Sequence, residues 1–345
     1  MKNRGFSRTL RTILLSSSLL FMSCVCCSSV NETTVEILNV SYDPTRDLFV
    51  DINSHFSEYW EGKTGQSVRI LQSHGGSGKQ ARSVIDGLRA DVVTLALAHD
   101  IEAISRNGFI YNNWQNRLKH NSTPFHSTIV FIVRKGNPAA IMDWDDLARP
   151  DVSVVTPNPK ISGGARWNYL GALGYAIENE KTEAETEIFL EKIFRNVPVL
   201  DAGARGSLTT FIQRGIGDVL ISWESEAYLA LQLFGNDLLE IVYPSVSVLA
   251  EPAVSVVDKV VQRKGTEDIA TAYLEFLYSE KGQKTGAEHF FRPSDENLLL
   301  QYSANFPDIL MLSIEELGGW DLIQKKHFAD GGLFDRIFSR RRGRG

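Results

Sequence analysis

The stretch QSHGGSGKQ, Gln72 to Gln80, has the small residues and the lysine of a loop that wraps a nucleotide phosphate. Such a loop runs from Gly through four residues to Gly-Lys-Ser/Thr, and its last hydroxyl holds magnesium. Ser73 stands where the first Gly belongs, and Gln80 stands where the hydroxyl belongs. Nucleotide hydrolysis is therefore not expected, but an oxyanion still suits the loop. Ala81, Val84, Ile85 and Leu88 follow at helical spacing, so Ser77 and Gly78 open an amphipathic helix. The first N–H groups of a helix lack internal partners and carry partial positive charge, which favours an anion.

Other junctions share this chemistry. Asp43-Pro44 reads as an N-cap and first helical residue. SGGARW, from Ser162, and GARG, from Gly203, each carry small residues into a helix, where Gly permits close backbone approach. Trp223 ends the apolar run DVLIS. Any one of these is most simply a turn; several in one chain point to an anion site. Ser162 as a hydrolase nucleophile would need a base and an orienting acid, and no motif supplies them. The seven histidines include no HExxH and no close pair, so neither a metal nor a cofactor is expected.

The elements that must position these junctions alternate. VEILNVSYD, SVRIL, ADVVTLAL, STIVFIVR, VSVV and DVLIS read as strands, with amphipathic helices between them. This pattern predicts an α/β fold with a mainly parallel sheet. Leu48, Phe49, Ile52, Phe56, Tyr59 and Trp60 form one apolar helical face, and Trp167, Leu170, Leu173 and Ile177 another. The order of the junctions, two early and three late followed by a return through LAEPAVSVVDK, predicts two lobes. Residues 30–116 with 246–345 form the first, and 117–245 the second.

With 345 residues the chain is long enough for two cores, and its formal charge of −6 argues against a nucleic-acid partner. Residues 1–29 read as a secretory leader: Lys2, Arg4, Arg8 and Arg11 precede a short, serine-diluted apolar run. Cleavage after Ser29 is preferred to a lipid anchor at Cys24, because Phe21 and Met22 suit a lipobox poorly. All three cysteines lie in this leader, so the mature chain has no thiol chemistry. Removing the leader takes the charge from −6 to −10, and an anion must then be held by local dipoles. The C-terminal SRRRGRG reads as a solvated, disordered tail.

LNVSYDPTRDL, QSHGGSGKQARSVIDGLRADVVTLALAHD, TPNPKISGGARWNYLGALGYA, VPVLDAGARG, RGIGDVLISWESEA, LAEPAVSVVDKVV and HFADGGLFD together resemble the periplasmic sulfate-binding proteins of ABC importers, from about Val35 to about Asp335. The resemblance implies a two-lobed Venus-flytrap fold, each lobe a mixed sheet flanked by helices. It implies sulfate, held by uncharged donors in the cleft, and delivery to membrane permease subunits with a separate ATPase. Carried over by motif, the donors are the backbone N–H groups of Asp43, Ser77, Gly163, Gly164 and Ala204, the Ser162 hydroxyl and the Trp223 indole. Ile161 departs from the family, where a polar residue is common. Thiosulfate is the alternative ligand, although SGGARW and Trp223 both favour sulfate. His74, Lys79, Arg166 and Arg205 flank the site and are expected to support its loops rather than touch the anion. A periplasmic monomer that is not an enzyme is expected. The chemistry of the ligand agrees: sulfate near neutral pH offers only acceptors, so a selective site should present only donors.

Overall fold

The structure is a computed structural model that describes residues 34–342. The leader, its cleavage point and Cys24 lie outside the described residues, as does the end of the basic tail from residue 343. Among the described residues no helix is long and apolar enough to cross a membrane.

Two mixed sheets organise the chain. The first has the order Ala253–Val256, Val92–Leu95, Val35–Tyr42, Val68–Gly75. Its three early strands are parallel, and Ala253–Val256 adds antiparallel to Val92–Leu95. The second has the order Leu200–Asp201, Val154–Pro157, Val219–Trp223, Ile129–Arg134, Leu239–Val242. Ile129–Arg134 runs antiparallel to both of its neighbours there. Val92–Leu95, Val154–Pro157 and Val219–Trp223 are buried throughout, which explains why their sequences are continuous apolar runs without alternation.

The chain passes between the sheets through adjacent segments. Ser127 and Ala250 exchange both backbone hydrogen bonds at 2.9 Å, and Phe125–His126 pairs with Arg292–Pro293. The approach to this crossing contains three consecutive non-glycine residues with positive φ, His120, Asn121 and Ser122. Such backbone costs roughly 1–2 kcal/mol per residue. The Ser122 hydroxyl, bonded to the Trp114 carbonyl at 2.8 Å, helps hold it.

Several expectations change in detail. Leu48, Phe49, Ile52 and Phe56 are buried, but Tyr59 is 42% exposed because the helix Arg46–Thr64 turns that edge to solvent. Helix Gly163–Glu178 is buried nearly all round, and its expected stripe member Ile177 is exposed near the C-terminal end. Residues 246–345 do not all pack with the first sheet. Val246–Val248 pairs with Leu310–Leu312 and lies on helix Gly163–Glu178, and the terminal helix Leu333–Arg342 packs on helix Glu183–Arg195. The reason is apolar: Phe334 packs edge-on against Phe194 and Tyr169, with ring centroids 5.2 and 6.3 Å away. That terminal helix also takes in the start of the tail expected to be disordered.

Candidate functional site

Four helical N-termini meet at one small recess, lined by Tyr42, Asp43, Pro44, Gly75, Gly76, Ser77, Ala96, Ser162, Gly163, Gly164, Gly203 and Ala204. Asp43 opens the 3-10 turn Asp43–Thr45, Ser77 opens Ser77–Ile85, Gly163 opens Gly163–Glu178 and Ala204 opens Ala204–Ile212. In the last three helices the first bonds to the cap carbonyls come from Gln80 at 2.9 Å, Arg166 at 3.3 Å and Ser207 at 3.2 Å. The amides of Ser77, Gly163, Gly164 and Ala204 precede those bonds and face the recess end with their dipoles aligned. None of the twelve lining residues is Lys or Arg.

Each side chain has a specific commitment. The Ser77 hydroxyl donates to Asp100 Oδ2 at 2.5 Å and accepts from the Ala96 amide at 3.1 Å, which leaves Ser77 only its backbone N–H for a ligand. Ser162 caps its helix by accepting from Ala165 N at 3.3 Å, so the hydroxyl proton stays available to donate. Asp43 was expected to be an N-cap. Tyr42 holds that position, and the Asp43 carboxylate instead lies 3.6 Å from Arg46.

Trp223 closes the strand Val219–Trp223 and caps the helix that follows. It is not a lining residue of the recess. Its indole lies beside Gly164, where a Cβ would come within 2.9 Å of Nε1. The ring is buried against Tyr42, with centroids 5.5 Å apart, and Nε1 has no hydrogen-bond partner among the described residues. An unpaired buried N–H costs about 1–3 kcal/mol, and an acceptor placed there would remove that cost.

The glycines are sterically required. A Cβ at Gly163 would stand 2.9 Å from Ser77 Cβ and 3.0 Å from Ala96 Cβ, and one at Gly76 would meet the Ile161 carbonyl at 3.0 Å. Gly163 follows the second sheet and Ser77 the first, so these contacts are where the two sides of the recess touch.

The flanking basic residues separate into different roles. Arg166 donates to the Pro159 carbonyl at 3.1 Å and to Gln324 at 3.2 Å, and it covers the Phe328 ring at 5.3 Å. Arg205 approaches Asp47 at 3.7 Å, with both side chains about half exposed. His74 is kept neutral, its pKa lowered to about 4 by burial, with the Arg46 charge adding to the effect. Lys79 is exposed.

Sequence reasoning missed four residues. Lys160 Nζ bonds the Phe328 carbonyl at 3.1 Å, Asp330 at 3.1 Å and Asp335 at 3.0 Å, tying the loop before Ser162 to HFADGGLFD. Asp100 is buried behind Ser77, and burial raises its pKa against the opposing pull of Arg166 and the Ser77 bond. Glu226 is buried beside Tyr42. Burial raises its pKa to about 7, Arg205 opposes this, and Asp43 and Asp47 add to it. Burial raises the Tyr42 pKa well above its ordinary value, with Glu226 adding, and its hydroxyl is unpartnered. Glu226 lies in SWESEA, three residues after Trp223, and only its burial sets it apart from a surface acid.

The assembled chemistry is that of a small recess offering N–H and O–H donors from two sheets, without a cationic side chain in its lining. Comparison with known proteins shows the family. The family description "Bacterial extracellular solute-binding protein" matches residues 38–292. The chain is 56% identical over 315 residues to the sulfate-binding protein of Escherichia coli K12, covering 91% of this chain and 96% of that one. It is 49% identical to the thiosulfate-binding protein of Pseudomonas aeruginosa, covering 88% and 92%. The solved sulfate-binding protein of Mycobacterium tuberculosis superposes with a TM-score of 0.77 at 30% identity, covering 84% of this chain and 98% of that chain.

Proposed function

Since the chain belongs to the bacterial extracellular solute-binding proteins, we propose that it captures sulfate in this recess and delivers it to the permease subunits and ATPase of an ABC importer. The carrying observation is the convergence of Ser77, Gly163, Gly164 and Ala204 amides, with the Ser162 hydroxyl, on one recess whose lining holds no Lys or Arg. A dianion with four acceptor oxygens matches a set made only of donors. Hydrogen bonds to a charged group contribute about 1.5–3 kcal/mol each. Several of them, less desolvation and closure, leave roughly −8 kcal/mol, micromolar binding.

In this reading the backbone N–H of Asp43 and the indole of Trp223 complete the donors. The unpartnered Trp223 Nε1 beside Gly164 supports the second assignment. His74, Lys79, Arg166 and Arg205 act on the loops and the field rather than on the anion. The protein works as an extracytoplasmic monomer. It has two lobes, 30–116 with 246–345 and 117–245, except that Val246–Val248 and residues 310–342 ride with the second because they pack on its helices or pair with the strand that does. Thiosulfate is the second reading, favoured by the 49% identity to a thiosulfate-binding relative.

Isothermal titration of the mature protein with sulfate, thiosulfate, phosphate and molybdate is the test. Micromolar sulfate binding with weak phosphate binding is expected. Absent sulfate binding would overturn the reading, and stronger thiosulfate binding would replace it with the second.

A further inference from the structure

Beside the recess runs a second line of contact between its two sides. Trp167, on helix Gly163–Glu178, donates its indole N–H to the Ala96 carbonyl at 2.8 Å. Ala96 follows strand Val92–Leu95 of the first sheet, whereas the Trp167 helix packs on strands of the second. Both residues are fully buried. Trp320 meets the Trp167 ring edge to face at 5.1 Å and lies 6.4 Å from the His99 ring. The next residue, Asp321, takes a bond from Arg106 at 3.2 Å. His99 and Arg106 belong to helix Ala98–Arg106, which packs on the first sheet.

We infer that Trp167 is an affinity-determining residue that never touches the anion: its indole bond to Ala96 latches the closed form and slows release. The inference rests on the proposed two-lobed sulfate-binding function. The Trp167 N–H is already spent on the Ala96 carbonyl across the two sides, so its bond belongs to their contact and not to the ligand. With the lobes apart, the N–H and the carbonyl are each free to bond water. Closing exchanges water for a direct bond, and it brings Trp320, which backs the indole, to the His99 ring of the first side. A neutral hydrogen bond of this kind is worth about a two- to tenfold shift in population. Any ligand-independent gain in the closed form raises apparent affinity by the same factor for every anion that closes the cleft. Selectivity among anions is then set in the recess, and residence time partly by the latch.

The test compares wild type with Trp167→Phe, which keeps the ring's bulk and removes the donor. Expected are a two- to tenfold weaker sulfate Kd, carried by faster dissociation of labelled sulfate in a cold chase, and an unchanged ratio of sulfate to thiosulfate affinity. A melting temperature without ligand within a few degrees of wild type separates this from a folding defect. A wild-type dissociation rate, or an altered ratio, overturns the latch. Should Trp167→Phe fail to fold, Trp320→Ala removes the half-buried ring that backs the indole. The same faster release is expected of it, and unchanged release overturns the inference. Wild type that binds no sulfate sinks the functional reading instead. In that event scattering without ligand decides the latch: Trp167→Phe must be more expanded than wild type, and equal radii of gyration overturn it.

Discussion

Replacing Gly163 with alanine should separate binding from folding. The added Cβ would stand 2.9 Å from Ser77 Cβ, 3.0 Å from Ala96 Cβ and 3.4 Å from Leu97 Cγ. Carbon atoms rest at about 3.5–4.0 Å, so two of these contacts overlap by roughly half an ångström or more. The atoms facing the new methyl are a Cβ next to backbone on each of two residues, and a rotamer change moves neither. Overpacking of this kind costs about 1–3 kcal/mol. The strain is confined to the closed form, because Ser77, Ala96 and Leu97 all belong to the opposite side of the recess. Sulfate affinity should therefore fall between about fivefold and 150-fold. The ligand-free protein should be no less stable, since alanine suits a helix better than glycine. Titration calorimetry with sulfate, alongside thermal denaturation with and without sulfate, measures both quantities. Wild-type affinity in Gly163→Ala would refute the flush contact between the two sides. A destabilised ligand-free protein would show that these contacts belong to the resting fold and are not made on closing.

Trp223→Phe should weaken sulfate by about 1.5–3 kcal/mol, ten- to a hundredfold, because it removes the unpartnered donor beside Gly164; unchanged affinity in a folded variant would place the indole outside the site. Glu226→Gln tests the buried carboxyl. Its pKa is raised from 4.5 to about 7, so the folded chain binds more protons than the unfolded one across that interval. Its contribution is intact at low pH and is lost as pH rises through about 7. The variant should melt higher than wild type at pH ~8 and not at pH ~4, and equal melting curves at both would contradict the burial argument. His327 has the opposite sign. Burial holds its pKa at about 4, and its Nδ1 lies 2.8 Å from the Tyr169 hydroxyl. Its stabilisation is whole above the free imidazole value of ~6.5 and is lost as pH falls toward 4. His327→Gln should flatten the acid limb of a plot of denaturation midpoint against pH, and an acid limb as steep as wild type would exclude His327 as its source.

Local features were open to a linear reading because their causes are local. A helix leaves its first amides unpaired whatever surrounds it, so SGKQ, SGGARW and GARG announced donors wherever they folded. Apolar runs such as VVTL and VLISW announced buried strands for the same reason. The errors came where a neighbour distant in sequence decided the outcome. Tyr59 shares the period of Phe56 but faces solvent, since nothing covers that edge of its helix fully. Residues 310–342 follow Ala253–Val256 of the first sheet in the chain, yet Phe334 finds its apolar partners on Tyr169 and Phe194.

The sequence by itself determined the α/β alternation, the small-residue junctions and the absence of cysteine after Cys27. Residue type and spacing are enough for these, because backbone geometry and side-chain chemistry travel with the residue. Only the tertiary structure decided which junctions face one another. It committed the Ser77 hydroxyl to Asp100, and it set Trp223 Nε1 beside Gly164 without a partner among the described residues. It also brought Gly163 flush against Ser77 and Ala96, and it buried Glu226 beside Tyr42. These are distances between residues tens to more than a hundred positions apart. Packing of two separate sheets fixes them, and no local pattern encodes that packing.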